Sequence, residues 1–317
     1  MNIRSQSGYW LTRTFALLFG LALIIYLSIA FYFSGLIVSP SSAHEDIVAI
    51  QNLENKTGKP IQLIFTSRDN ARFDAWYFER FENAPCAIIF THGWNGSRID
   101  MNKFMQAMDD TRCNFVSYDL RGHGTHEAIL STGGIIEKEE LIQISRYLID
   151  QFNFTENQIG LYGISLGAST SLQAAEHFEF AFIIADSPFK DWHTAIFERG
   201  TKTYGEWVLL FRPAIAWFIK LRANVNYTDA SVLNTAKHIS SPTLLIHSLS
   251  DTDTSPDQSS EIYEHLSRNN SQLLLTDWGA AHGKDIDLRP DVYRTILTDF
   301  VRRFNPSFIS SNDGSAT

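Results

Sequence analysis

The chain has 317 residues, a net charge of −9 and a pI of about 5.5. That acidic balance excludes a nucleic-acid binder, which needs a basic face to displace counterions from phosphate. Two cysteines exclude a disulfide-rich scaffold and a four-cysteine zinc site, and 44% apolar with 19% charged residues excludes a disordered chain.

Thr14 to Val38 is a run of 25 residues without Asp, Glu, Lys, Arg or His. As a helix it reaches roughly 37 Å, enough to cross a hydrocarbon core with some tilt. A secretory signal has an apolar core of about 7–15 residues, so length favours an uncleaved anchor, although Ser41-Ser42-Ala43 offers small residues at a cleavage-like position. Arg4 and Arg13 precede the run; Glu45 and Asp46 follow it, and the next cations are Lys56 and Lys59. The positive-inside rule therefore predicts a cytoplasmic N-terminus (1–13), a transmembrane helix (14–38) and a linker (39–60) to a domain on the periplasmic or external side.

From Ile61 onward two periodicities alternate. Apolar or β-rich runs lie at Ile61–Phe65, Ala75–Phe78, Ala87–Phe90, Phe115–Tyr118, Ile159–Tyr162, Ala181–Ala185, Thr243–His247 and Leu273–Thr276. Helix-like stretches, among them Ile135–Phe152, Gly167–His177, Asp257–Ser267 and Asp291–Phe304, separate most of them. Strands alternating with helices predict a mostly parallel sheet of eight strands, helices on both faces, over residues 61–305. Solidly apolar strands such as Ala87-Ile88-Ile89-Phe90 suit burial on both sides. Between Ala185 and Thr243 no strand is evident, and nine aromatics fall between Phe189 and Tyr227. We expect a helical insertion (about 189–238) above the sheet. Arg212-Pro213 interrupts its apolar runs before they reach membrane-spanning length. The Ser-rich tail (306–317) is expected to be disordered.

The strand Ile159–Tyr162 runs into Gly163-Ile164-Ser165-Leu166-Gly167 and then a helix. So sharp a strand-to-helix turn strains its central residue, and flanking glycines relieve backbone clashes. The strain pushes the Ser165 hydroxyl out above the sheet edge, over a helix N-terminus. A serine needs a base, and the base an orienting carboxylate. After Thr243–His247 comes Ser248-Leu249-Ser250-Asp251-Thr252-Asp253; after Leu273–Thr276 comes Asp277-Trp278-Gly279-Ala280-Ala281-His282. Asp251 with Asp253 as its competitor, then His282, thus stand at the carboxyl ends of the next strands, in the order expected of a Ser-Asp-His hydrolase. Oxyanion donors are predicted from the backbone N–H of Leu166 and of Trp94, the latter beside Gly93 in Thr91-His92-Gly93-Trp94. His92 and His123 are read as loop braces.

Together, His92-Gly93-Trp94, Asp119-Leu120-Arg121-Gly122-His123-Gly124, Gly163-Ile164-Ser165-Leu166-Gly167, His247 with Asp251, and Gly279-Ala280-Ala281-His282 resemble the α/β-hydrolase family, in its order and across about Ile61 to Phe304. The resemblance is nearest to bacterial serine hydrolases of the serine aminopeptidase-like or lysophospholipase/esterase type, membrane-anchored ones included. It implies Ser165 as nucleophile, His282 as base, Asp251 as its partner, and a helical lid, which Ala230-Ser231-Val232-Leu233 also suggests. Ser248 departs from the glycine usual after this histidine, which leaves Asp251 and Asp253 both open. Relatives of this type pair the strands that follow Cys86 and Cys113. The equal offsets of these cysteines from His92 and Asp119 then bring the sulfurs together at the sheet's entry end. A Cys86–Cys113 disulfide suits a domain outside the cytoplasm; two buried free thiols remain the alternative.

The resulting expectation is a membrane-anchored serine hydrolase cleaving an ester, thioester or amide through an acyl-enzyme, carboxylesterase- or lipase-like. It would need no metal or organic cofactor, and its substrate would be a small molecule, a lipid-like one included. Two rivals are an aminopeptidase, in which Glu198 or Asp191 would hold the substrate's amine, and a tethered binding protein that has lost turnover.

Overall fold

The computed structural model describes residues 3–41, 50–51 and 58–310. Glu45, Asp46, Lys56, most of the linker and residues 311–317 of the tail lie outside the described residues.

All eight expected strands form: β1 (Ile61–Thr66), β2 (Arg72–Phe78), β3 (Ala87–Thr91), β4 (Asn114–Tyr118), β5 (Ile159–Ile164), β6 (Phe182–Asp186), β7 (Thr243–Ser248) and β8 (Ser271–Thr276). They make one sheet in the order β1-β2-β4-β3-β5-β6-β7-β8. From β4 to β8 every neighbouring pair is parallel, whereas β1–β2 and β2–β4 are antiparallel. The first connection is too short for a crossover helix, so it can only reverse the chain.

Burial on both faces explains the unbroken apolar strands. In β3, Ala87 and Ile89 join one core with Leu141, Leu148 and Leu172, while Ile88 and Phe90 join the other with Phe104 and Tyr293. The first face is covered by α3 (Glu137–Phe152) and α4 (Leu166–Ala174), the second by α2 (Asn102–Ala107) and α10 (Pro290–Phe304). The last of these shows how local sequence makes its helix. Pro290 opens it, Asp291 sits in the first turn, Arg302 and Arg303 in the last, and buried Tyr293, Leu297, Phe300 and Val301 recur at helical spacing.

The insertion is helical: α5 (Trp192–Tyr204), a 3-10 turn (Glu206–Phe211), α6 (Arg212–Ala223) and α7 (Val232–Ala236). Beyond it lie α8 (Asp257–His265) and the short α9 (Asp285–Leu288). The N-terminal α1 (Ile3–Val38) outruns the uncharged stretch and carries an apolar segment, Tyr9–Val38, long enough to cross a membrane.

The tail does not begin at residue 306: Pro306–Phe308 forms a 3-10 turn, Phe308 and Ile309 are buried, and the Arg112 N–H donates to the Phe308 carbonyl at 2.7 Å. Two apolar side chains within a Ser-rich stretch suffice to hold it against the domain. Cys86 and Cys113 are disulfide-linked, their Cα atoms 4.5 Å apart, just before the Ala87–Asn114 register pair of β3 and β4. A closed loop of 27 residues constrains the unfolded chain by about 3–4 kcal/mol on the chain-entropy model. Reduction is therefore expected to lower the thermal midpoint by about 6–8 °C in calorimetry. Unfolded protein without reductant should give no thiol titre; two titratable thiols would contradict the linkage.

Candidate active site

β5 carries the chain to Ile164, and Ser165 then turns it into α4 with φ 55° and ψ −117°. Positive φ costs a serine about 1–3 kcal/mol, so the turn must be held from outside. The Ser165 N–H donates to the Asp186 carbonyl at 2.8 Å. A Cβ on Gly163 would collide with the backbone of Gly167, and one on Gly167 with the carbonyls of Thr91 and His92. Both glycines are required because β5, α4 and the loop after β3 meet here at backbone contact.

The Ser165 hydroxyl donates to His282 Nε2 at 2.7 Å, and His282 Nδ1 donates to Asp251 Oδ2 at 2.5 Å. Asp251 is fully engaged. Its Oδ1 accepts the N–H groups of Asp253 (2.8 Å) and Thr254 (3.0 Å), and its Oδ2 also accepts from His247 Nε2 at 3.0 Å. His247 Nε2 meets only acceptors, the second being the Thr254 carbonyl at 3.1 Å, so it carries the proton, and Nδ1 accepts from the Ser259 hydroxyl at 2.7 Å. Asp253, the competing carboxylate, is exposed and gives its backbone N–H to Asp251.

Electrostatics follow from these contacts. Burial alone would raise the Asp251 carboxyl, but hydrogen bonds from His247 and His282 and the charge of His282 hold it well below the usual carboxylate range. Burial alone would lower His282, yet the hydrogen bond to Asp251 and that carboxylate's charge outweigh it and raise the imidazole above its ordinary 6.5. Because the folded state binds this proton more tightly, the contribution of His282 is complete below the unfolded value of about 6.5, so long as Asp251 stays ionised, and is lost as pH rises through the raised one.

The predicted oxyanion donors lie at the same place. A Cβ on Gly93 would stand 3.2 Å from Ser165 Cβ, so the loop carrying Trp94 passes close to the serine. Neither the Trp94 nor the Leu166 N–H has an acceptor among the described residues. His92 and His123 hold that loop. His92 donates from Nδ1 to the Gly93 carbonyl (2.7 Å) and accepts the Leu120 N–H (2.9 Å), and His123 accepts the Asn95 N–H (3.1 Å). Burial keeps both neutral, pushing His123 down to about 3.

Above the serine lies a cavity of about 370 Å³, lined by Trp94, Ser165 and His282 below and by Phe197, Tyr204 and Val208 of the insertion above. Glu198 and Asp191 do not line it. Glu198 accepts from the Gln258 side chain (2.7 Å), and Asp191 caps α5 through the Thr194 N–H (2.6 Å).

The model of the prolyl oligopeptidase family matches residues 115–306, more than half of the chain and the part holding all three side chains. The chain belongs to this family. Among curated relatives, the uncharacterised protein YqkD of Bacillus subtilis is 30% identical over 230 residues, covering 71% of this chain and 74% of the relative. Alpha/beta hydrolase domain-containing protein 17B of Xenopus tropicalis is 28% identical over 143 residues, covering 44% of this chain and about half (48%) of its own length. Among solved structures, the Pyrococcus furiosus esterase Pf2001 superposes with a TM-score of 0.68 at 22% identity, covering 84% of this chain and 99% of the esterase. Pyrococcus horikoshii acylaminoacyl peptidase superposes with a TM-score of 0.59 at 22% identity, covering 85% of this chain and 45% of the peptidase. Family and fold make this prolyl oligopeptidase relative a hydrolase of the α/β-hydrolase type.

Other contributors to the site were assigned no role from the sequence. His247, which the family resemblance marked beside Asp251 without a role, and Ser259, which carried no signal, steady Asp251 from behind. Buried Asp186 accepts from Tyr293 (2.6 Å) and Ser187 (2.8 Å) directly under the elbow. Phe33, Leu36 and Ile37, at the end of α1, form a wall of the cavity.

Proposed function

We propose that the protein is a membrane-anchored serine hydrolase that cleaves an ester, thioester or amide through an acyl-enzyme, with esterase-like activity favoured. The observation that carries this is the unbroken hydrogen-bond series Ser165–His282–Asp251 at the floor of an apolar cavity. Ser165 Oγ attacks the carbonyl carbon while His282 Nε2 takes its proton. The N–H groups of Trp94 and Leu166 receive the developing oxyanion. Collapse breaks the bond to the leaving group, which departs with the proton from His282. Water, deprotonated by the same nitrogen, then cleaves the acyl-serine and restores the hydroxyl. Asp251 keeps the Nδ1–H tautomer and offsets the imidazolium charge.

An ester is favoured over an N-terminal peptide because Glu198 and Asp191, which would bind an amine, are committed elsewhere. We place the domain outside the cytoplasm and its N-terminus inside, since Arg4 and Arg13 precede the apolar segment. The disulfide is consistent with that oxidising side.

A fluorophosphonate probe tests the reading: wild type should be labelled and Ser165→Ala should not. Folded wild type that resists labelling would favour a binding protein instead. The pH profile is a second test. Protonated His282 cannot accept the serine proton, so kcat/KM for a soluble p-nitrophenyl ester should rise with pH along a limb centred above 6.5. Asp251→Asn should move that limb to lower pH by removing the charge that raises His282. A limb unmoved by the substitution would contradict the assignment.

A further inference from the structure

Helix α1 does not stand clear of the catalytic domain. Its second half runs along the insertion: Tyr26 stacks on Phe211 (4.9 Å between ring centres) and donates its hydroxyl to the Leu210 carbonyl (3.1 Å). Phe31 meets Phe218 edge-on at 5.2 Å, and Phe33 meets Tyr204 and Trp207 at 4.9 and 5.8 Å. Arg222 lies over the Phe31 ring at 3.8 Å and donates to the Phe31 carbonyl (3.1 Å) and the Ser34 hydroxyl (3.0 Å).

Two arginines therefore mark heights along α1. Phe31 and Ser34, where Arg222 binds, lie 18 and 21 residues beyond Arg13. At about 1.5 Å per residue that is about 27–32 Å, the thickness of a hydrocarbon core. Charged groups avoid contact with lipid, so Arg13 and Arg222 belong at the two boundaries of that core, while Arg212, at the depth of Phe211, turns inward onto His193 and the Phe197 ring. Tyr26 then lies about 7–12 Å inside the outer boundary, and Leu210 and Phe211, held against it, lie at the same depth.

The insertion's outer surface matches this depth. Leu210 is 72% exposed, Trp217 56% and Leu221 65%, with Pro213 exposed on the same stripe of α6. Exposed Trp207 sits at the level of Phe33, near the boundary, where indoles concentrate. An apolar face of this kind, entering a leaflet by about 5–10 Å, is the geometry of an interfacial helix. It continues directly from the lipid-facing surface of α1. The last turn of α1, at the boundary itself, supplies Phe33, Leu36 and Ile37 to the cavity over Ser165.

We propose that the exposed face of the insertion (Leu210, Pro213, Trp217, Leu221) is seated in the outer part of the leaflet that holds α1, and that Ser165 receives a long-chain acyl ester of a membrane amphiphile, entering between α1 and the insertion. The second half rests on the serine-hydrolase reading above; the first does not. The ester of such an amphiphile lies at the boundary between acyl chains and headgroups, the height at which α1 lines the cavity.

The test uses the full chain in phosphatidylcholine/phosphatidylglycerol vesicles, in two arms. In the first, brominated acyl chains quench tryptophan emission. Trp10, Trp207 and Trp217 are the exposed indoles of these apolar surfaces, so Trp217→Phe should remove about one third of the quenchable emission. No change would overturn the membrane contact, and this arm needs neither turnover nor a disruptive substitution. In the second arm, wild type should hydrolyse a long-chain acyl ester embedded in the vesicles. Trp217→Asp with Leu221→Asp should lower kcat/KM for it at least about tenfold while p-nitrophenyl acetate hydrolysis stays within about twofold. Equal losses on both substrates, or none on the embedded ester, would overturn the proposal. Wild type that takes the fluorophosphonate and cleaves the acetate but leaves the embedded ester intact overturns the substrate inference alone. Wild type that takes no probe overturns the hydrolase reading, and the quenching then decides the membrane contact by itself.

Discussion

Ser165→Ala is expected to lower kcat/KM for a p-nitrophenyl ester by at least about ten-thousandfold, with the thermal midpoint unchanged. The methyl group cannot form the acyl bond, and His282 loses only a hydrogen bond that water can replace. Alanine keeps the positive φ of 55°, so the strain of the turn remains. Ser165→Gly should be as inactive but about 1 kcal/mol more stable, because glycine adopts that φ without a Cβ clash. Steady-state kinetics beside thermal melts separate the two effects. An alanine variant that retained a tenth of wild-type turnover would remove Ser165 from the reaction.

Asp251→Asn should lower kcat about a thousand- to ten-thousandfold, whereas Asp253→Asn should change it less than about threefold. An asparagine at 251 can still accept the N–H groups of Asp253 and Thr254 with its carbonyl oxygen, so the turn survives. Its amide then faces His282 as a donor. That selects the tautomer with the proton on Nε2, which cannot accept from the serine. Asp253, two residues away, is exposed and makes no side-chain hydrogen bond or ion pair with His282 among the described residues; it acts on the histidine only through its charge across the cavity. Equal losses from the two substitutions would contradict the division of labour drawn here.

Much of this architecture was legible beforehand because it rests on local regularities. Each strand is a short apolar or β-rich run, and the elbow is declared by Gly163 and Gly167 on either side of Ser165. His282 could be found because it follows a strand in the expected order. The choice between Asp251 and Asp253 could not be made in this way. Both carboxylates occupy one turn after β7, and only its closure, with the Asp251 N–H donating to the Ser248 carbonyl at 3.1 Å and two amides gripping Oδ1, aims one of them at the histidine. The resemblance marked His247 beside Asp251 but not what it does there, for a similar reason: a histidine within a buried strand has the same signature whether it packs or positions. Phe308 and Ile309 escaped notice because two apolar residues are too few to register in a polar stretch.

The residues alone determine that the chain has an apolar segment long enough to cross a membrane, an eight-stranded α/β sheet, a strained serine turn and a histidine downstream of it, since each is written in composition or periodicity over a few consecutive positions. The tertiary structure alone decides which aspartate faces that histidine, and that α1 lies along the insertion and forms a wall of the cavity. The aspartate is selected by hydrogen bonds that exist only once the turn has closed. A helix apolar on every side carries no mark of which face will meet protein, so that contact is settled by packing between segments about 180 residues apart.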